Sequence, residues 1–70
     1  MVHVISVEPL TVGWAVREES MENAQLFISG AKAEEAACRL GAQLSRAGAH
    51  AEVRVWLRGG ALGGRFVCSG

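Results

Sequence analysis

The sequence predicts an α+β fold over residues 1–70, a single domain: a three-strand antiparallel meander, one helix packed on one face of the sheet, and a C-terminal β-hairpin, in the order βββαββ. Three observations lead there. Side chains alternate with period two, Trp14 and Val16 against Ala15 and Arg17, and Val53, Val55 and Leu57 against Glu52, Arg54, Trp56 and Arg58. Apolar residues recur with the helical period over residues 31–47. Gly59-Gly60 then separates two strand-like runs. Seventy residues hold one core and no second, and a chain of this size buries only about 60% of the surface its unfolded form exposes.

Residues 2–7 read as the first strand, with Val2, Val4 and Ser6 on one side and His3, Ile5 and Val7 on the other. Glu8-Pro9 ends it, because Pro lacks a ladder donor and disfavours helix before it. Gly13 opens the second strand, where Trp14 and Val16 alternate with Ala15 and Arg17. A polar connection, residues 20–23, leads to a third strand over residues 24–28. Leu26, Phe27 and Ile28 are consecutive there, so either Phe27 faces inward, or Leu26 and Ile28 do.

The helix is expected over residues 31–47. Ala33, Ala36, Ala37, Leu40, Leu44 and Ala47 fall on one stripe, Ser29 is the N-cap, and Gly48 is the stop. Glu34 and Glu35 suit the positive end of the helix dipole and Arg46 the negative end; Glu35 and Arg39 form an i,i+4 pair. In the hairpin, a two-residue turn at Gly59-Gly60 sets Leu57 opposite Leu62, Val55 opposite Gly64, Val53 opposite Phe66 and Trp56 opposite Gly63. A bulge at Gly63-Gly64 is the alternative.

The run Val2-His3-Val4, then Gly13-Trp14-Ala15-Val16, Phe27-x-Ser29, an Ala/Glu-rich helix and Ala51-Glu52-Val53-Arg54-Val55 before a glycine turn resembles a bacterial family of short proteins of unknown function. That family also runs Val-His-Val, Gly-Trp-x-Val, a helix, then a strand pair closed by an Asp-Gly turn. This chain departs from it with Gly59-Gly60 at the turn and a longer first loop. The resemblance implies the fold and carries no activity with it.

Composition narrows the function classes. Net charge is zero, which argues against nucleic-acid binding by bulk charge and leaves copies of the chain without mutual repulsion. Six of the seven basic residues are Arg, and the Ala- and Gly-rich, Asp-free composition suits a GC-rich bacterial genome. No basic n-region with an apolar stretch opens the chain, and no run of about 18 apolar residues exists, so a cytoplasmic protein without membrane association is expected. Cys38 and Cys68 stand without a C-x-x-C pattern.

No metal site is expected, since His3 and His50 are the only histidines and no spacing ties them to a cysteine. No catalytic residue, cofactor or small-molecule ligand is expected either. Cys38 lies in mid-helix and no glycine-rich loop precedes a helix start. The sheet face opposite the helix is the informative surface. His3, Ile5, Ala15, Arg17, Arg54, Trp56, Arg58 and Arg65 are expected there, beside apolar residues of the third strand. An open antiparallel face should alternate polar, so a bulky apolar patch marks a contact surface. The chain is therefore read as a non-enzymatic binding or structural module that forms a homo-oligomer, a dimer by preference, through this face or a strand edge. The interface candidates are Ile5, Arg17, Arg54, Trp56 and Arg58. The alternative is a nucleic-acid-binding module using the same Arg and Trp residues.

Overall fold

The computed structural model describes residues 2–68, with β1 (Val2–Pro9), β2 (Trp14–Glu18), β3 (Gln25–Phe27), α1 (Gly30–Arg46), β4 (His50–Trp56) and β5 (Leu62–Cys68) in chain order. The class is α+β with one helix, as the sequence predicts. The sheet differs from the expected arrangement of an antiparallel meander beside a hairpin. All five strands form one mixed sheet in the order β3-β2-β1-β4-β5, and β1 runs parallel to β4. β1 takes the central place with β2 on one edge and β4 on the other, and its β-branched Val2, Val4, Ile5 and Val7 suit a strand. Pro9 falls beyond the last β1–β4 pair, Val7 with Val55, so its missing N–H interrupts no bond of that ladder.

The helix carries the chain from the β3 edge across one face of the sheet to β4. Ile5, Val7, Val16, Val53 and Val55 meet Ala33 and Ala37 in the core, with Trp14, Phe27, Leu40 and Leu44 packed around them. Ser29 caps the helix: its Oγ accepts from the Lys32 N–H at 3.2 Å. At the other end Gly48, with φ +89°, lets the Gly48 N–H reach the Ser45 carbonyl and the Ala49 N–H reach the Leu44 carbonyl, a Schellman closure.

Two helix expectations shift. The helix begins at Gly30, so Glu34 and Glu35 lie past its first turn, which holds no acidic residue. The buried stripe is Ala33, Ala37 and Gly41, while Ala47 is exposed. The Glu35–Arg39 pair forms at 3.2 Å on the exposed side.

The hairpin keeps Val53 opposite Phe66 and Val55 opposite Gly64, but Trp56 faces Leu62 and the register shifts between Val55 and Trp56. The Leu57 N–H donates to the Ala61 carbonyl, so the tip holds three residues, Arg58, Gly59 and Gly60, where two were expected. Both glycines have positive φ. The extra residue at the tip and the bulge at Gly63 offset each other, which leaves the Phe66 register unchanged.

Candidate functional site

Period-two geometry sorts the candidates. Ile5 pairs with Val53 and is fully buried on the helix side, so it belongs to the core and not to the outer face. His3 shares that side, since it too alternates with Val4. The misplacement follows from β1 being apolar on both faces, which leaves no polar contrast to choose between them. Arg58 also leaves the outer face. It sits at the hairpin tip, donates to the Leu10 carbonyl at 2.6 Å, and holds its guanidinium 5.8 Å from the centre of the Trp14 ring.

Arg17, Arg54 and Trp56 do lie on the open face. Register places Arg17 of β2, Ser6 of β1, Arg54 of β4 and Arg65 of β5 in a single row across the sheet. The adjacent row holds Val4, Glu52 and Val67. Glu52 is buried beside the arginine row; its carboxylate accepts from the Arg54 Nε, and from the Arg65 Nε at 2.9 Å. The Arg54 bond chiefly, with Arg65 adding to it, holds the Glu52 carboxyl below its ordinary range against the opposing effect of burial. Half-buried Trp56 pairs with exposed Leu62 beside this charged centre.

The helix side holds a second buried carboxylate. Glu18 accepts from the Ser20 hydroxyl, from the Ser20 N–H at 2.8 Å, and from His3 Nδ1 at 2.9 Å. The Ser20 hydroxyl bond is the largest influence and lowers the Glu18 pKa, burial opposes it, and His3 reinforces the lowering. Glu18 lies at the wall of a groove of about 400 Å³ between the helix and the β2–β3 rim, also lined by Asn23, Gln25, Arg39 and Gln43. Alternation with Trp14 and Val16 was the sequence signal that could have placed Glu18 inward.

The chain matches no family model, no curated protein and no solved structure. The resemblance to the short bacterial family therefore stands on its motifs alone. Among the described residues, no three His, Cys, Asp or Glu side chains converge to hold a metal ion, and no helix is long and apolar enough to cross a membrane.

The sheet edges complete the site. β3 is three residues long, whereas β5 runs for seven and pairs on one side only. Leu62–Cys68 contains neither Pro nor Lys; it carries a bulge at Gly63 and the charge of Arg65, which is drawn onto Glu52, so Gly64–Cys68 is the regular part of the edge. Its side chains leave Phe66 49% exposed on the helix side and Val67 65% exposed on the other. The same strand thus offers a line of unpaired backbone groups with apolar rims above and below it.

Proposed function

We propose that the protein is a self-associating structural module whose β5 edge pairs with β5 of a second copy. The observation that carries this reading is the seven-residue unpaired edge with Phe66 and Val67 exposed on its two sides. An antiparallel pairing centred on Phe66 sets Gly64–Cys68 of one chain against Gly64–Cys68 of the other, a two-fold arrangement. It stacks Phe66 on the partner's Phe66 and sets Arg65 opposite the partner's Val67, so no like charges face each other. A net charge of zero offers no repulsion against the approach. The role is one of binding or assembly, not catalysis.

The solution mass tests it. Light scattering should give about twice the 7.4 kDa chain mass, and Val67→Lys should return it to the single-chain value. That lysine would stand opposite the partner's Arg65 but beside the chain's own Glu52, so the fold is preserved while the pairing is lost. A single-chain mass for the unaltered protein at high concentration removes the proposal.

A second reading, nucleic-acid contact, rests on the row of Arg17, Arg54 and Arg65, with Trp56 two residues from Arg54 on the same face. Glu52 already neutralises part of that charge. The reading requires retardation of single-stranded DNA or RNA that weakens steeply with salt, and no retardation at low salt ends it.

A further inference from the structure

The chain has two cysteines, thirty positions apart, one on α1 and one on β5. Phe66 and Cys68 alternate onto the helix side of β5. Phe66 and Gly64 share a small cavity with Glu34 and Ala31, so the N-terminal half of the helix borders the middle of β5 across that gap. Seven residues further along the helix, Cys68 Sγ lies 3.0 Å from where a Cβ on Gly41 would sit. Glu34, Cys38 and Gly41 follow the i, i+4, i+7 spacing of one helix face. Cys38 is therefore flanked along that face by two residues that both look onto β5, and Gly41 is the notch that admits the Cys68 sulfur. Position 38 is one helical turn from that notch, where Cβ atoms stand about 5–6 Å apart.

We infer that Cys38 and Cys68 form a reversible dithiol–disulfide pair, a modification site that ties the open β5 edge to the helix when the protein meets a small-molecule disulfide. Cys38 is exposed and Cys68 half-buried, so an oxidant such as oxidised glutathione reaches the pair from solvent. One cysteine thiolate attacks a sulfur of the oxidised glutathione and expels one glutathione thiolate, leaving a mixed disulfide on the protein. The second cysteine thiolate attacks the protein sulfur of that mixed disulfide, forming the Sγ–Sγ bond and expelling the second glutathione thiolate. The two protons lost by the cysteines end on the two glutathiones. Two protein thiols are thereby oxidised by two electrons, and one glutathione disulfide is reduced to two thiols.

Burial, then the neighbouring Cys68, then Glu34 push the Cys38 thiol above its ordinary value. Little Cys38 thiolate is present near neutrality, so closure accelerates as the pH rises. The bond encloses β4 and β5 in one loop and restricts the unfolded chain. It involves neither the Phe66 pairing nor a second copy, so it stands or falls independently of the assembly reading.

The test treats the reduced chain with oxidised glutathione and follows it by mass and by tryptic map under non-reducing conditions. The expected product is a single chain lighter by two hydrogens, with the peptide of residues 33–39 joined to that of residues 66–70. Its Tm should exceed that of the reduced form by roughly 10 °C and return on adding a thiol reductant. Closure in the folded protein should run at least tenfold faster than in strong urea, where the fold no longer aligns the sulfurs. Cys38→Ser and Cys68→Ser should each stop at a mixed disulfide on the remaining cysteine. A wild-type product carrying glutathione on both cysteines, a product linked between two chains, or equal closure rates folded and unfolded would each overturn the inference.

Discussion

The two edges of the sheet are built differently, and the difference locates where this molecule is open to another. β3 contributes three residues, yet it is locked to its neighbour. A Cβ on Gly13, whose φ is +83°, would lie 2.5 Å from the Phe27 carbonyl oxygen, and Phe27 packs against the core. Leu26 is 72% exposed beside it, but so short a strand leaves few backbone groups to pair. β5 is more than twice as long. It is held by its ladder to β4, by Arg65 on Glu52 and by Cys68 against the helix, and its outer backbone is free. Exposed apolar side chains occur at both edges; only β5 combines them with an extended row of unpaired backbone.

Substitution at the centre of the sheet should cost the most and spare neither edge. Ile5→Ala removes a fully buried side chain from β1 and should destabilise by about 2–5 kcal/mol in urea unfolding, in dilute as in concentrated protein. An effect confined to concentrated protein would return Ile5 to an interface. Next, Gly13→Ala should cost roughly 1–3 kcal/mol, because a side chain meets both the positive φ and the Phe27 carbonyl. The loss should appear as faster amide exchange in residues 25–27, with β5 protection unchanged. Equal loosening of both edges would mean that β3 is not separately anchored.

Acid should loosen both sides through different carboxylates. Glu18 and Glu52 both have folded pKa values lowered from about 4.5, so their contribution is complete above that value and declines as the pH falls through it towards the folded pKa. Urea midpoints should therefore drop as the pH falls below about 4.5. Glu18→Gln should flatten part of that slope while the Glu52 part remains. A midpoint independent of pH across this range would contradict the geometry of both sites. The smallest expected effect on stability, within about 0.5 kcal/mol, is that of Leu26→Lys, which should also leave the solution mass unchanged. A change in mass would move the proposed contact to the β3 edge.

Local chemistry was legible in the sequence. The Ser29 cap, the Gly48 stop, the Gly59-Gly60 tip, and the outward facing of Arg17, Arg54 and Trp56 all follow from neighbours a few positions apart. The parallel β1–β4 pairing was not legible, because a strand that is apolar on both faces looks the same whether it sits at a sheet centre or in a meander. That also put Ile5 on the wrong face. The strand ends at Trp56, so period-two alternation does not reach Arg58, and its turn toward Leu10 and Trp14 has no such signal. The seating of Cys68 against Gly41 depends jointly on helix rotation and hairpin register, two quantities that no single window of sequence contains.

Amide hydrogen exchange followed against protein concentration reads the β5 pairing itself. Residues 64–68 should gain protection as concentration rises, while residues 25–27 exchange at an unchanged rate. Protection that appears at β3 or on the helix, or that does not depend on concentration anywhere, would contradict pairing through β5.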